Sequence, residues 1–221
     1  MNKIYGFHGE VKHKYDEKVM DVFSRLFQAL PLAATIEGKV FVTHGGLSTQ
    51  EGGVSLDEIA AINRFMEPPQ SGLMSDLMWS GECSYSAIFS LHLVRTDSPL
   101  SLSLSLSLLL CVDPQPQLGR SPSKRGLGFS FGPDYTRAFL QRNNLQLVIR
   151  SHEVRDEGYE VEHDGQCITV FSAPNYCDQM GNKGAMIRFT SESMSPSFVK
   201  FEAVPHPNVP PMRYASNMFA L

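Results

Sequence analysis

Two histidines stand just after apolar runs that are typical of buried strands. Residues 40–43 lead directly into His44, and residues 147–150 lead through one serine into His152. Loops at strand ends are where scaffolds place binding and catalytic side chains, and neutral imidazole is a common metal ligand. A lone histidine in such a place is more often structural. Two histidines in matching contexts predict that both converge on one site as metal ligands.

A third strand exit carries an aromatic hydroxyl and a thiol. The apolar run 167–171 is followed by Ser-Ala-Pro-Asn-Tyr-Cys-Asp at residues 172–178. Serine, proline and asparagine beside an apolar run predict a sharp exit loop. Tyr176 and Cys177 are suited to lining a site, so we expect this loop to join His44 there. Each also has a structural interpretation, Tyr176 as a packed aromatic and Cys177 as a small apolar filler.

Arg125 lies in a loop rich in serine and glycine, residues 120–132. A guanidinium matches two phosphate oxygens at once. A solvated loop arginine is the alternative, and sequence logic alone favours it. Together with histidine ligands, however, an arginine clamp permits a metal-assisted phosphate hydrolase.

Composition narrows the classes of partner. The chain has 221 residues, of which 42% are hydrophobic and 19% charged, and a net charge of -4. This is ordinary globular material, with no reason to expect nucleic acid or an anionic membrane as a partner. The four cysteines form neither a metal-type pair nor a disulfide framework. The start of the sequence lacks a signal-peptide core, and no run of about 20 apolar residues predicts a membrane span. We therefore expect a cytoplasmic or nuclear protein.

The predicted elements mix strands, hairpins and helices. Apolar residues at spacings of three and four predict one helix over residues 10–30. A capping box at Ser55 and Glu58 predicts another over 55–65, and a third helix covers 134–143. Hairpins are predicted over 33–43 and 161–171, with further strands at 145–149, 185–189 and 198–204. Because no regular alternation of strand and helix runs through the chain, we expect an α/β fold with a mixed sheet and outer helices.

A low-complexity segment divides the chain. Residues 100–110 alternate leucine with serine. Strict alternation suits a strand, whereas low complexity argues against one. The sequence thus separates into residues 1–80, an atypical insertion at 81–112, and residues 113–221.

Seven short motifs follow one another along the chain. They are His-Gly-Gly-Leu (44–47), Leu-Met-Trp-Ser (77–80), Lys-Arg-Gly (124–126), Phe-Gly-Pro-Asp (131–134), Arg-Ser-His-Glu (150–153), Gly-Tyr-Glu (158–160) and Ser-Ala-Pro-Asn-Tyr-Cys-Asp (172–178). In this order they resemble the C-terminal half of the catalytic domain of PPP-family protein serine/threonine phosphatases. Residues 178–183 and 203–209 are similar to the type 5 members in particular.

The resemblance implies a fold, a reaction and roles for these residues. The fold is a two-sheet α/β sandwich with mixed β-sheets, of which this chain supplies the C-terminal half. His44 and His152 would be ligands of one ion in a dinuclear site that uses Mn²⁺, or iron and zinc. Arg125 would hold the substrate phosphate, and Tyr176 would line the catalytic groove beside Cys177. The implied reaction is attack of a metal-activated water on phosphoserine or phosphothreonine in a protein substrate.

Three motifs that carry the family's other metal ligands are absent from this sequence, namely Gly-Asp-x-His-Gly, Gly-Asp-x-Val-Asp-Arg-Gly and Gly-Asn-His-Glu. Two histidines alone form an incomplete ligand set of weak affinity. We therefore expect a truncated phosphatase that is weak or inactive alone. The alternatives are a binding or regulatory isoform without catalysis, and a non-functional splice product.

The family pattern also predicts that Trp79-Ser80 runs directly into Asp113-Pro114, whereas here residues 81–112 intervene. Our hypothesis is a retained in-frame intron, because a pyrimidine tract encodes a Ser/Leu repeat. A genuine surface-loop insertion is the alternative. Transcripts that always contain the segment, with no shorter form in any tissue, would contradict the intron hypothesis.

Overall fold

A computed structural model describes residues 2–3, 6–48, 50–69, 71–78, 114–122, 129–190, 193–208 and 214. Arg125, the 81–112 segment and its predicted Leu/Ser alternation lie outside these residues. The chain forms two compact units. The first comprises Met1–Pro31, Asn63–Glu67 and Val204–Leu221, and the second comprises Leu32–Ile62 and Pro68–Ala203.

In the described stretch 6–31, the first unit forms two helices where the periodicity predicted one. Helix α1 spans Phe7–Lys14 and helix α2 spans Glu17–Ala29. Asp16 adopts an extended conformation between them, and its carboxylate accepts a hydrogen bond from the backbone N–H of Val19 at 2.9 Å. An N-cap of this kind starts a new helix. The prediction of one continuous helix over 10–30 was therefore wrong.

The second unit is built on a five-stranded mixed sheet. Its strands are β1 (Ala33–Ile36), β2 (Val40–Thr43), β5 (Leu147–Arg150), β6 (Tyr159–Glu162) and β7 (Cys167–Val170). Their spatial order is β1-β2-β5-β7-β6. Strands β2, β5 and β7 run parallel to one another, whereas β1 and β6 pair antiparallel with their neighbours. The central strands are buried on both faces, as near-continuous apolar runs require.

Both predicted hairpins are confirmed. Glu37 and Gly38 turn β1 into β2, with φ of 50° and 61°. A 3₁₀ turn at His163–Gly165 joins β6 to β7, and Asp164 takes φ 55° there. Because glycine and aspartate tolerate positive φ, these sequences suit tight turns.

One face of the sheet packs against helices. Phe41, Val148 and Cys167 point to this face, where Phe41 meets Phe139 edge-on with ring centroids 4.8 Å apart. The helices of this unit are α3 (Leu56–Ala60), α4 (Leu73–Met78) and α5 (Pro133–Arg142). Helix α3 has the predicted capping box but ends earlier than predicted. A short hairpin, β3 (Arg120–Pro122) with β4 (Phe129–Phe131), precedes α5.

A second sheet packs on the opposite face. It is the antiparallel pair β8 (Gly184–Thr190) and β9 (Ser193–Phe201). Its Ile187 and Phe198 pack against a core formed by Val40, Leu147 and Ile168. The predicted α/β arrangement of two packed sheets is thus confirmed, with a mixed large sheet and an antiparallel small one. Among the parts of the chain that the structure describes, no helix has both the length and the apolar character to cross a bilayer.

Candidate functional site

Three parallel strands end at one edge of the large sheet. Because β2, β5 and β7 are adjacent and parallel, the loops that follow them leave the sheet on the same side. His44 follows β2 and His152 follows β5. Their rings lie edge to face, with centroids 4.9 Å apart and planes at 77°. The backbone N–H of Ser151 donates to the carbonyl of His44 at 3.1 Å, which joins the two loops directly.

The surroundings of His44 favour its neutral form. His44 is an exposed residue directly after the end of β2. Partial desolvation by the protein around the ring, followed by the positive charge of Arg150, holds the pKa of the imidazole below its ordinary value. A neutral imidazole is the form that binds metal ions.

Arg150, the last residue of β5, ties the two histidine loops together. Its guanidinium is fully buried. Nε donates to the carbonyl of Gly45, the residue after His44, at 2.6 Å. Nη1 forms an ion pair with Glu153, the residue after His152. The sequence interpretation gave neither Arg150 nor Glu153 a role, although a charged residue closing an apolar strand is a sign of a buried pair.

A second arginine shares the buried carboxylate. Glu153 is only 4% exposed, and Arg155 Nη2 lies 3.1 Å from its Oε2. Arg155 Nε also lies 2.9 Å from Glu160 at the surface. Burying a charge is unfavourable unless opposite charges and hydrogen bonds surround it. The two arginines supply the opposite charges that the buried carboxylate of Glu153 requires beside the histidine loop.

His152 has a left-handed backbone, with φ of 77°. This conformation is uncommon for a residue other than glycine and is retained only where neighbours enforce it. The buried pair that flanks it, Arg150 and Glu153, restrains both sides of the residue. Such conformations concentrate at functional sites.

The loop after β7 contains a 3₁₀ turn at Tyr176–Asp178. Asn175, Cys177 and Asp178 all have positive φ, between 49° and 58°. Tyr176 is 47% exposed and meets Phe171 edge-on, with ring centroids 5.1 Å apart. Cys177 is exposed. The loop therefore presents both side chains to solvent at the end of β7. A buried asparagine that anchors this loop, Asn182, was also missed: it lies in the segment 178–183 that resembles the type 5 members, but an asparagine near glycine and lysine gives no sign of burial.

The donors present fit two ligands of one metal ion. Two adjacent imidazoles suit ions such as Fe²⁺ and Zn²⁺, whereas Mn²⁺ favours additional oxygen ligands. Within the described ranges, no group of three or more His, Cys, Asp or Glu side chains is arranged to hold a metal. Because Arg125 lies outside those ranges, its role as a phosphate ligand stays a prediction. The ligand roles of His44 and His152, and the substrate roles of Tyr176 and Cys177, stay predictions as well.

Comparison with known proteins identifies the family. The model of the calcineurin-like phosphoesterases matches residues 5–156, which is more than half of the chain and includes both histidines. The chain belongs to the calcineurin-like phosphoesterase family. The resemblance that the motifs indicated is thereby confirmed, and the family is one of hydrolases.

Within this family, the chain is most usefully compared with the type 5 serine/threonine phosphatases. It is 55% identical to serine/threonine-protein phosphatase 5 of Arabidopsis thaliana over all 221 residues, which cover 35% of that protein. It is 50% identical to the human phosphatase 5, again over 221 residues and 38% of the relative. The chain thus spans little more than a third of the length of these curated relatives.

A solved phosphoesterase structure shares the fold. A protein serine/threonine phosphatase from Saccharomyces cerevisiae with similarity to human phosphatase PP5 superposes with a TM-score of 0.73 at 35% identity. The superposition covers 98% of this chain and 60% of the yeast chain.

Proposed function

We propose that this chain carries metal-binding and substrate-binding residues of a metal-dependent protein serine/threonine phosphatase. The observation that carries the proposal is the contact between His44 and His152, whose rings lie 4.9 Å apart at one edge of the sheet. Support comes also from the names of the relatives, which are serine/threonine phosphatases.

Each residue has a part in the proposed site. His44 and His152 hold one ion through neutral imidazoles, and Arg150 keeps their loops together. A bound ion supplies an activated water and stabilises charge on phosphoryl oxygens. Arg125 binds the phosphate of a phosphoserine or phosphothreonine protein, and Tyr176 lines the groove that receives it.

Manganese binding tests the two histidines. We would load the purified chain with Mn²⁺, dialyse it and measure the metal content and Kd. Wild type and a His206→Ala control, which changes an exposed histidine of the tail, should bind alike. His44→Ala and His152→Ala should each weaken Mn²⁺ binding at least about tenfold, in the range of a lost ligand or of its supporting contacts. Equal binding by all four proteins would refute the assignment.

The second part of the proposal concerns this chain alone. Two imidazoles leave an ion weakly held, and the family's remaining ligand motifs are absent from the 221 residues. We therefore expect the isolated chain with Mn²⁺ to hydrolyse phosphopeptides no faster than its His152→Ala variant. A clear, metal-dependent excess in the wild type would contradict this and establish an active enzyme.

A second candidate function is phosphoprotein binding without catalysis. It is favoured by the exposed Tyr176 on a turn of defined shape. A phosphopeptide should then bind the Mn²⁺-loaded chain, and Tyr176→Ala should weaken binding while the unphosphorylated peptide binds neither protein. Equal affinity for the phosphorylated and unphosphorylated peptides would exclude this role.

A further inference from the structure

Asn182 uses its whole side chain to anchor the loop that carries Tyr176. The side chain is buried, at 4% exposed. Its Oδ1 accepts a hydrogen bond from the backbone N–H of Tyr176 at 2.9 Å. Its Nδ2 donates to the carbonyls of Ala173 and Lys183, both at 2.9 Å. Two of the three bonds therefore end inside the loop that leaves β7.

A reciprocal bond closes the same loop from the other side. The backbone carbonyl of Asn182 accepts from the N–H of Asn175 at 2.7 Å. The side-chain Oδ1 of Asn175 accepts from the N–H of Gly181 at 3.0 Å. These hydrogen bonds between residues 175 and 181–182 hold the two ends of the turn together, which restrains residues 176–180 between them.

The turn between these hydrogen bonds needs such support because of its backbone conformation. Asn175, Cys177 and Asp178 all occupy the left-handed region. Asparagine and aspartate visit this region more readily than other residues with a Cβ, so the conformational cost falls mainly on Cys177. Strained backbone persists only when its surroundings determine it from several sides. A buried amide with all its donors and acceptors satisfied is a rigid anchor of this kind.

We propose that Asn182 is a positioning residue that holds the Tyr176–Asp178 turn in the shape in which Tyr176 faces the substrate. Asn182 acts through the main chain of Tyr176 and the carbonyl of Ala173. The consequence for substrate binding rests on the proposed function, whereas the consequence for the shape of the turn does not.

A matched pair of substitutions isolates this role. Asn182→Asp keeps the acceptor for Tyr176 N–H but places a carboxylate oxygen against two carbonyls. Asn143, at the end of α5, makes the same pattern of bonds elsewhere in this unit. Its Oδ1 accepts from Leu56 N–H at 2.8 Å, and its Nδ2 donates to Val54 and Phe139 carbonyls at 2.9 Å. Asn143→Asp therefore reproduces the chemical change without touching the turn.

The readout is the hydrogen-exchange rate of the Asn175 and Gly181 amides, resolved by NMR. These amides donate across the base of the turn, to the carbonyl of Asn182 and to Asn175 Oδ1, so faster exchange reports local opening of the turn. Amides of β7, which pairs with β5 and β6, are the reference for global opening. We expect Asn182→Asp to raise the exchange rates of Asn175 and Gly181 at least about fivefold with no change in β7. Asn143→Asp should leave these rates within about twofold of wild type.

Two outcomes would overturn the inference. One is unchanged exchange at Asn175 and Gly181 in Asn182→Asp, and the other is an equal rise in both variants. If exchange in β7 also rises in Asn182→Asp, the uncharged Asn182→Ala decides. It removes the three side-chain bonds without placing a carboxylate against the carbonyls, so it should raise the exchange rates of the turn alone. No rise at Asn175 and Gly181 in Asn182→Ala would then refute the proposal.

The hydrogen-exchange test needs no catalytic activity, so it separates this inference from the proposed function. In any preparation that shows phosphopeptide binding, Asn182→Asp should weaken affinity through the displaced Tyr176 while Asn143→Asp does not. Equal phosphopeptide affinities with a retained difference in exchange rates would overturn the substrate role of the turn and leave its anchoring intact.

Discussion

At the scale of single residues, the candidate site depends on a buried ion pair. The guanidinium of Arg150 reaches Gly45, 105 positions earlier in the chain, and Glu153, three positions later. Breaking a buried pair by removing one partner leaves an uncompensated charge. Loss of this ion pair should therefore lower the stability of the whole second unit as well as release the two histidine loops.

We predict that Arg150→Met lowers the free energy of unfolding by about 3–5 kcal/mol, because Glu153 stays buried with less compensation. Urea denaturation followed by circular dichroism measures this change. Arg142 is the control, since it pairs with Glu58 at 3.3 Å and both side chains are largely exposed. Arg142→Met should change the free energy by about 1 kcal/mol or less. Similar losses in the two variants would refute the special role of Arg150.

His163 is a buried histidine whose lowered pKa should make the stability of the protein depend on pH. Its Nε2 lies 3.1 Å from the carbonyl of Gln115 and therefore donates to it, while Nδ1 accepts from the hydroxyl of Thr136 at 2.8 Å. Desolvation is the main cause that lowers the pKa of the imidazole. The Gln115 carbonyl and the carboxylates of Asp134 and Asp164 oppose this without reversing it.

Stability should therefore fall on the acid side of neutrality. Between the lowered pKa of folded His163 and its unfolded value near 6.5, the unfolded chain binds more protons, so the free energy of unfolding decreases as pH falls. We predict a shallower decrease between pH 7.5 and 5.5 in His163→Asn than in wild type, measured by urea midpoints. His206→Asn, at an exposed position, should retain the wild-type slope. Parallel slopes in all three proteins would contradict the prediction.

At the scale of elements, the absence of a side chain at Gly158 lets the loop after β5 pack closely against the backbone of β8. Gly158 has φ 78°, and a Cβ there would lie 2.5 Å from the carbonyl carbon of Gly184 and 2.6 Å from the nitrogen of Ala185. Both neighbours are backbone atoms of β8, which cannot move without disturbing the sheet. A side chain at this position would separate the loop that follows His152 from the second sheet.

We predict that Gly158→Ala is far more destabilising than Gly52→Ala. Gly52 has the same φ of 78° but open space around it, so its substitution reports only the left-handed backbone, about 1–2 kcal/mol. The clash at Gly158 should add about 1–3 kcal/mol or more. The melting temperatures of the two variants measure the difference, and equal values would show that β8 yields to the extra methyl group.

At the scale of the whole molecule, the two units differ in their cores. In the first unit, Val11 and Met20 are the buried apolar residues among those described. The second unit buries both faces of its central strands, with Phe41, Val148 and Ile168 at most 1% exposed. Because the free-energy cost of local opening rises with the apolar surface that the opening exposes, the first unit should open at a lower cost than the second.

We predict that amides of α1 and α2 exchange with deuterium at least about tenfold faster than those of β2, β5 and β7 under native conditions. Hydrogen exchange with mass spectrometry measures both regions in one experiment, and urea well below the unfolding transition should widen the gap. Equal protection of the helices and the central strands would show one cooperative unit instead.

Much of the local structure could be predicted from the sequence. The apolar runs at residues 40–43 and 147–150 form the predicted strands, the Asp164-Gly165 pair turns a hairpin, and Ser55 with Glu58 forms the capping box. These features depend on residues within a few positions of each other, so composition and spacing suffice. The same logic failed at Asp16, where a short polar side chain that caps a new helix interrupts an otherwise continuous apolar stripe.

The sequence by itself determined that His44 and His152 end strands, and its motifs determined the family. Only the tertiary structure decided that β2 and β5 are parallel neighbours, which places the two imidazoles 4.9 Å apart. The same holds for the left-handed His152 and the anchoring bonds of Asn182. The physical reason is that strand order and buried polar pairs depend on groups up to a hundred residues apart, whose packing no local pattern encodes.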